Sequence, residues 1–184
     1  MRWLWPNKPI RFYNLDELVL SIGDDWVVQP KWNGHRALVK IEDGHVTVFS
    51  RHKRPLRMAD AGNWTWLRMV FGENLLLDGE MVSPHELVVW DLINEESFIN
   101  STSYVCRLDL LKSLLPDQRT KGGETVKIVE TRAFDRYKEL LLLRGRDNIE
   151  GLVFKNLSAN DFFDSRSTRE VSSQLKYLFK KKES

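Results

Sequence analysis

Cysteine is nearly absent from this 184-residue sequence, in which Cys106 is the only example. A single cysteine excludes an intrachain disulfide framework and any zinc site built from several cysteines. Long apolar runs are also missing, because no stretch approaches the roughly 20 apolar residues of a membrane-spanning helix. The apolar start, Met1 to Pro6, is too short and too soon interrupted for a secretory signal. These absences predict a soluble, cytoplasmic protein with no membrane partner.

A strong net charge is missing as well. The 28 Lys and Arg residues against 26 Asp and Glu residues give a formal charge of +2, so no global field indicates a polyanionic partner. The terminal run Lys180-Lys181-Lys182 is locally basic, and Ser50-Arg51-His52-Lys53-Arg54 forms a small basic cluster. The length favours one domain over residues 1–184, and a hydrophobic content of 42% is sufficient for a core.

The segment from Gln29 to Arg36 places a lysine, Lys31, between apolar residues and a turn signal. The residues on either side, Asp25 to Val28 and Ala37 to Ile41, have strand composition. Asn33-Gly34 is a strong hairpin signal, so the pattern predicts a β-hairpin with Lys31 beside its turn. Two interpretations stay open from this segment alone: a lysine that serves as a nucleophile, or an ordinary hairpin with a solvated lysine.

The rest of the chain reads as short strands and helices in irregular alternation. Asn14 is typical of an N-cap and predicts a short helix that ends by Gly23, and Asp43-Gly44 predicts a turn into the next strand. Further strands are expected over 46–49, 75–82, 86–93, 125–129, 148–155 and 174–180, and helical segments over 62–72, 103–115 and 134–144. This order favours an α+β fold with mainly antiparallel sheets and flanking helices over a parallel βαβ chain.

Several charged residues interrupt strands that are otherwise apolar. They are Lys31, Glu80, Glu150 and Lys155. Charges of this kind are seldom buried without partners, so they either alternate outward to solvent or converge on a ligand. Alternation alone does not explain the nearby glycines Gly34, Gly79 and Gly151, which let backbone or ligand approach closely.

Read in order, short motifs along the chain resemble one known family. The motifs are Lys31-Trp32-Asn33-Gly34-His35-Arg36, Phe49-Ser50-Arg51, Leu77-Asp78-Gly79-Glu80, Val89-Trp90-Asp91, Glu150-Gly151-Leu152-Val153-Phe154-Lys155 and a lysine-rich terminal strand. They are similar to the successive motifs of the covalent nucleotidyltransferases: ATP-dependent DNA ligases, RNA ligases and mRNA capping enzymes. The resemblance covers roughly residues 26–182. It implies an ATP-grasp-like nucleotidyltransferase fold, here without an OB-fold domain.

The resemblance implies that Lys31 attacks the α-phosphate of ATP and releases pyrophosphate. The adenylate would then pass to a 5′-phosphate, and a 3′-hydroxyl would seal the strand with loss of AMP. Such phosphoryl transfer needs positioning, cations and metal ions, which suits the residues present. The resemblance thus implies ATP and Mg²⁺ as cofactors and a nicked nucleic-acid duplex as the partner of a monomeric enzyme. DNA is slightly favoured over RNA.

The roles of the other site residues follow from the same resemblance. For the nucleoside of ATP, they are Gln29 as adenine reader, Trp90 stacked on adenine, Glu80 on the ribose, and Arg36 on the ribose or on the nucleic-acid end. For the triphosphate and metal, they are Lys155 with Lys176 or Lys180 on the phosphates, and Glu150 with Asn33 on Mg²⁺. For nucleic acid, they are Arg51 on the 5′-phosphate, with Lys53 and Arg54 beside it. Trp90 could instead be a core residue.

The chain departs from the family pattern at three places. Asn33 stands where aspartate is usual, and Gln29 stands where the adenine reader is usually acidic, although an amide can still accept from the adenine amino group. The terminal motif aligns in two ways, and Lys176 is favoured over Lys180. Two alternatives stay open: a capping-type guanylyltransferase that uses GTP, and a non-catalytic nucleic-acid-binding relative.

Overall fold

The computed structural model describes residues 3–94, 100–161, 163–164 and 169–179. The strands are β1 Trp5–Pro6, β2 Lys8–Phe12, β3 Trp26–Trp32, β4 His35–Glu42, β5 His45–Ser50, β6 Leu75–Ser83, β7 Glu86–Asn94, β8 Arg119–Lys121, β9 Glu124–Ile128, β10 Arg132–Ala133, β11 Ile149–Asn156, β12 Phe163–Asp164 and β13 Glu170–Leu178. The α-helices are α1 Leu15–Leu20, α2 Leu67–Phe71, α3 Tyr104–Leu114 and α4 Tyr137–Leu141. Single 3₁₀ turns occupy Arg57–Ala61, Trp64–Trp66 and Phe134–Arg136.

Two larger sheets organise the chain. One has five strands in the order β10-β3-β11-β13-β2, the other has six in the order β5-β4-β6-β7-β9-β8, and β1 pairs with β12. Most pairings are antiparallel, whereas β13–β2 and β7–β9 are parallel. The α+β prediction is therefore confirmed in its coarse form, with mixed sheets and few helices. None of the helices in the described part of the chain combines the length and apolarity needed to cross a bilayer.

Local signals set several of these elements. Asn14 caps α1, because its side-chain oxygen accepts the backbone N–H of Asp16 at 3.0 Å, and acidic residues fill the first turn, where the helix dipole favours them. The helix ends at Leu20, slightly before the predicted Gly23. Asp43 and Gly44 have φ values of 52° and 76° and join β4 to β5 as predicted.

The predicted helix over 62–72 is only partly formed. The structure has the 3₁₀ turn Trp64–Trp66 followed by the short α2, and Trp64 and Trp66 are buried in the core. The predicted helix over 134–144 is likewise reduced to a 3₁₀ turn and α4, whereas that over 103–115 is present as α3. Strand β2, which the sequence pattern did not predict, pairs parallel to β13.

The predicted hairpin at Asn33-Gly34 is wrong. β3 pairs with β10 and β11 in the five-stranded sheet, whereas β4 pairs with β5 and β6 in the six-stranded sheet. Neither Asn33 nor Gly34 has the positive φ of a type I′ turn. The segment instead carries the chain from one sheet to the other. Gly34 lies so close to the Met81 carbonyl of β6 that a side chain would collide with it.

The core lies on both faces of the six-stranded sheet and behind the five-stranded sheet. Alternation along β6 sends Leu75, Leu77 and Met81 into the cluster that holds the two buried tryptophans, and Leu76 into a second cluster with α3. Asp78 and Glu80 continue the Leu76 face. Because side chains alternate along a strand, the carboxylates of Asp78 and Glu80 lie on the same face of the sheet as Leu76, which is the face toward the end of β3.

Candidate active site between the two sheets

A cleft of about 540 Å³ opens between the sheets. Its lining includes ten of the residues that the sequence motifs predict for the site: Gln29, Lys31, Asn33, Arg36, Arg51, Glu80, Trp90, Glu150, Lys155 and Lys176. The lining does not include Lys53 or Arg54. Lys180 lies outside the described residues. The fold thus brings together all four of the charged residues that interrupt the strands: Lys31, Glu80, Glu150 and Lys155.

Lys31 stands at the end of β3, on the strand that faces the cleft. Its Nζ forms an ion pair with Oε1 of Glu150 from β11, and the two side chains are 25% and 38% exposed. The β-register places Lys31 opposite Gly151. A side chain at Gly151 would collide with the Tyr177 carbonyl of β13, so glycine permits the close strand packing there. The lysine amine is therefore held by a carboxylate while it stays open to the cleft.

Glu80 is a buried carboxylate beside this pair, with an exposed fraction of 9%. Burial raises the pKa of Glu80 to about 7, against the opposing attraction of Lys31 and Arg36. Between pH 4.5 and about 7 the folded protein therefore holds a proton on Glu80 that the unfolded chain has lost. The contribution of this group to stability is complete at low pH and disappears as the pH rises through about 7.

This sign gives a first prediction. Glu80→Gln, which cannot ionise, should gain stability relative to the parent protein as the pH rises from about 4.5 to 7.5, by about 1–3 kcal/mol of unfolding free energy. Urea denaturation of both proteins across this pH range measures the difference. A difference that does not vary with pH would show that the Glu80 carboxyl titrates like a solvated one.

Asp78 organises the floor of the cleft, although the sequence pattern assigned it no role. Its carboxylate accepts from Arg36 Nε at 2.9 Å and from Arg36 Nη2 at 2.5 Å, and also from Trp90 Nε1 at 2.9 Å. Arg36 Nη1 donates to the Asn7 carbonyl at 3.1 Å, and its Cζ lies 5.5 Å from the Trp90 ring centre. The orientation of both predicted ATP-binding side chains therefore depends on one buried carboxylate.

Lys155 of β11 is the second lysine of the cleft and is only 4% exposed. Its Nζ donates to the Tyr104 hydroxyl at 3.3 Å and lies 4.6 Å and 5.4 Å from the ring centres of Tyr104 and Trp90. Burial lowers the pKa of Lys155 to about 7, although Asp91 and Asp78 favour its charged form. An anion bound beside it would stabilise that charged form.

The Gln29 side chain is also buried, and it is held by hydrogen bonds to one residue of α3 and to one residue of the segment before β10. Its Nε2 donates to the Tyr104 hydroxyl at 2.8 Å and to Thr131 Oγ1 at 2.9 Å. Sequence reasoning missed Tyr104 and Thr131. Tyr104 falls within the helix predicted over 103–115, but nothing in that pattern gave it a role in the site.

Strand β13 supplies Lys176 and Gln174 to the same cleft. Burial lowers the pKa of Lys176, and the neighbouring cations Lys31, Arg11 and Lys8 lower it further while Glu170 opposes. Gln174 is 3% exposed, and its Nε2 has no hydrogen-bond partner among the residues that the structure describes. The cations on this side of the cleft suit an anionic ligand, whereas the Gln174 amide nitrogen is buried.

The basic loop after β5 lies at the rim of the cleft. Arg51 is exposed, and its Nε lies 3.1 Å from Nε2 of His52. Lys53 is also exposed, with its Nζ 5.5 Å from the Trp3 ring centre, as is Arg54. Of this loop, Arg51 and His52 reach the cleft lining.

The oxygen donors at the reactive end suit Mg²⁺, which prefers one or two carboxylates together with substrate phosphates. Glu150 supplies a partly exposed carboxylate, and Asn33 supplies an exposed amide beside it in the lining. Within the described ranges no group of three or more His, Cys, Asp or Glu side chains is arranged to hold a metal by itself.

Comparison with known proteins confirms the resemblance that the motifs predict. Residues 10–86 match the family model described as the ATP dependent DNA ligase domain. A comparison with curated proteins gives no match.

Solved structures share the fold over nearly the whole chain. A mycobacterial DNA ligase D complexed with ATP has a TM-score of 0.63 at 18% identity, covering 94% of this chain and 60% of its own. The ATP-dependent DNA ligase from bacteriophage T7 in complex with ATP has a TM-score of 0.56 at 13% sequence identity, and the match covers 95% of this chain and 68% of the phage chain. An archaeal ATP-dependent RNA ligase has a TM-score of 0.58 at 18% sequence identity, and the match covers 93% of this chain and 47% of the archaeal chain. At these identities the likeness establishes the fold alone, and this chain spans about half to two thirds of the length of these neighbours.

Proposed function

We propose that this chain, which matches the ATP dependent DNA ligase domain over residues 10–86, is the adenylation domain of an ATP-dependent polynucleotide ligase. One observation carries the proposal: Lys31 lies in a single cleft with Glu80, Lys155 and Trp90 and is ion-paired with Glu150. An amine nucleophile surrounded by cations and carboxylates is the arrangement that nucleotidyl transfer to lysine requires.

In the first step, the Lys31 ammonium, which is paired with Glu150, gives up one proton to solvent to become a free amine. Nζ then forms a bond to the α-phosphorus of ATP and releases a second proton to solvent. The bond from that phosphorus to the α,β-bridging oxygen breaks, and pyrophosphate leaves. Lys155 and Lys176 stabilise the negative charge on the phosphates. Mg²⁺, when bound, would neutralise further charge on the triphosphate, and Glu150 and Asn33 would hold it.

In the second step, an oxygen of a 5′-phosphate attacks the same phosphorus and restores the Lys31 amine. The product carries AMP on the end of the nucleic acid. In the third step, a 3′-hydroxyl attacks the phosphorus of that 5′-phosphate, so that AMP leaves and a phosphodiester closes the strand. Because every step is an in-line displacement at phosphorus, positioning and charge neutralisation account for most of the catalysis.

The adenosine end of the cleft is assigned to Gln29, Arg36, Glu80 and Trp90. Trp90 offers an aromatic ring whose orientation is fixed by the hydrogen bond from Nε1 to Asp78. Its indole would stack on adenine, and Arg36 and Glu80 would bind near the ribose. The fold is further proposed to be of the ATP-grasp-like nucleotidyltransferase type.

A nicked duplex, with DNA slightly favoured over RNA, is the proposed partner. Arg51 is an exposed residue of the same cleft lining as Lys31, and it would bind the 5′-phosphate that enters from outside. Lys53 and Arg54 would contact the flanking backbone. With so few cations, binding through the phosphates should be weak, and its salt dependence should be shallow, because the slope of log K against log salt scales with the number of phosphate contacts.

The proposal is tested by incubating the protein with Mg²⁺ and either α-labelled ATP or α-labelled GTP. Covalent labelling by ATP is expected, and the bond should be acid-labile and alkali-stable, as a phosphoramidate is. Preferential labelling by GTP would instead favour a capping-type guanylyltransferase. Sealing assays on matched nicked DNA, nicked RNA and hybrid duplexes then identify the nucleic acid, and absence of any labelling would contradict the proposal.

A second prediction separates ATP chemistry from nucleic-acid binding. Arg51→Ala should form lysyl-AMP at the normal rate but should fail to transfer AMP to a 5′-phosphate, because the guanidinium fork that orients the phosphate is gone. Single-turnover labelling and sealing of the preformed adenylate measure the two steps separately. Arg119→Ala, which changes an exposed arginine on β8 outside the cleft lining, is the matched control. A parallel loss of both steps in Arg51→Ala would place Arg51 in the ATP site.

A further inference from the structure

Two hydroxyl groups hold the Gln29 amide inside the cleft. Gln29 Nε2 lies 2.8 Å from the Tyr104 hydroxyl and 2.9 Å from Thr131 Oγ1. Tyr104 is fully buried and Gln29 is 2% exposed, so these contacts are shielded from water. If a hydroxyl donates its proton elsewhere, it can only accept from the Gln29 amide. The direction of donation therefore decides whether the NH₂ group or the oxygen of the amide points toward the two hydroxyls.

Each of the two hydroxyls uses its single proton to donate a hydrogen bond to a backbone carbonyl. The Tyr104 hydroxyl donates to the Trp90 carbonyl at 2.8 Å, and Thr131 Oγ1 donates to the Val129 carbonyl at 3.2 Å. Burial raises the pKa of Tyr104 well above its ordinary value, which keeps the phenol proton in place for this bond. Lys155 Nζ also donates to the Tyr104 hydroxyl, at 3.3 Å. Toward Gln29, both hydroxyls can only accept.

The amide of Gln29 must then present its NH₂ group to both hydroxyls. The opposite orientation would set Oε1 against two oxygens that have no proton left to give. With both protons of Nε2 engaged, Oε1 is the remaining polar atom of the side chain. Among the described residues no group donates to Oε1, and this oxygen is not sealed within the protein, so it is open to the cleft that Gln29 lines.

We infer that Tyr104 and Thr131 are specificity-determining residues, which lock Gln29 with its acceptor toward the nucleotide base and so select adenine over guanine. Adenine presents an amino donor at C6, whereas guanine presents a carbonyl acceptor at that position. Oε1 would pair with the first and repel the second. This inference rests on the proposed function, because it takes the base to lie against Gln29. It explains how a neutral amide can read adenine without a carboxylate.

The experiment compares ATP with GTP in four variants. Tyr104→Phe and Thr131→Val each remove one acceptor for the Gln29 NH₂ group while keeping shape, and Thr131→Ser retains the hydroxyl. Thr125→Val makes the same chemical change on β9, where the hydroxyl pairs with Thr120 away from the cleft. Two ratios are measured for each: single-turnover labelling by α-labelled ATP over GTP, and equilibrium binding of ATP over GTP by calorimetry.

We expect the ATP-to-GTP ratio to fall about tenfold in Tyr104→Phe and in Thr131→Val, the worth of about one hydrogen bond to the base. Thr131→Ser and Thr125→Val should keep the parental ratio within about twofold. A purely structural role for Tyr104 and Thr131 would weaken both nucleotides equally and leave the ratio unchanged. An unchanged ratio in folded Thr131→Val would overturn the inference.

The two proposals fail in distinguishable ways. If the parent protein is labelled by ATP but the variants keep its selectivity, the inference about Gln29 falls and the ligase proposal stands. If nothing is labelled but ATP binds more tightly than GTP and the variants lose that preference, the ligase proposal falls and the base-reading site stands. Should Tyr104→Phe fail to fold, as thermal unfolding would show, the comparison of Thr131→Val with Thr131→Ser decides the inference.

Discussion

Lys31→Ala is expected to abolish covalent labelling by α-labelled ATP. The side chain lies in the cleft with its Nζ paired to Glu150, and alanine removes the amine that would form the bond to phosphorus. Lys155 and Lys176 share the cleft, but they lie on β11 and β13 and not on β3. Neither amine therefore occupies the position of Lys31 Nζ, and neither should replace it in line. The measurement is the amount of protein-bound label after incubation with Mg²⁺ and ATP.

Two further variants make this result specific. Lys31→Arg keeps the positive charge and a partner for Glu150 but supplies no nucleophilic amine, so it should fold normally and remain unlabelled. Lys40→Ala removes a lysine of β4 that pairs with Glu42 outside the cleft lining, and it should label like the parent protein. Label retained by folded Lys31→Ala would remove Lys31 from the chemistry.

Asp78→Ala is expected to have the largest effect on stability. The carboxylate is 3% exposed and neutralises Arg36, whose side chain is 18% exposed, and it also accepts from Trp90 Nε1. Removing it leaves a largely buried guanidinium without its counter-ion, which costs about 3–5 kcal/mol when a buried pair is broken from one side. Urea denaturation should show this loss, and the folded fraction should bind ATP poorly because Arg36 and Trp90 are no longer held.

Asp78→Asn provides an intermediate case, because the amide oxygen can accept one hydrogen bond but carries no charge. Glu139→Ala breaks an ion pair with Arg136 at the surface, where solvent already screens the charges, so its effect on the unfolding midpoint should be much smaller. A loss in Asp78→Ala no larger than that in Glu139→Ala would mean that Arg36 finds another partner or reaches water. In that case Asp78 would not be the residue that orders the floor of the cleft.

Local chemistry made much of the secondary structure predictable. The cap at Asn14 and the turn at Asp43-Gly44 depend on residues within a few positions of one another, and both are present. The apolar runs that become β6 and β7 were also recognisable, since their length and composition fit buried strands. Helical periodicity succeeded for α3 but overstated the segments near Trp64 and Phe134, each of which forms a 3₁₀ turn followed by a five-residue α-helix.

Asn33-Gly34 shows where local chemistry is insufficient. The dipeptide predicts a hairpin only if the strands on either side pair with each other, and here each strand finds a better partner far along the chain. β3 pairs with β11, and β4 pairs with β6. This pairing bears on function, because separating β3 from β4 into two sheets places Lys31 in the lining of the cleft.

The sequence by itself determined which reactive groups this protein has. It shows a single cysteine, and it shows two lysines and two glutamates, Lys31, Glu80, Glu150 and Lys155, on otherwise apolar strands with glycines nearby. The motifs that contain them follow one another in the same order as in the nucleotidyltransferases. Only the tertiary structure decided that Lys31 pairs with Glu150, which is 119 residues away in the sequence, and that Gln29 is hydrogen-bonded to Tyr104, which is 75 residues away. It also gave Asp78 its place under Arg36. Strand pairing and hydrogen-bond direction depend on which distant segments pack together, and no short pattern of residues specifies that packing.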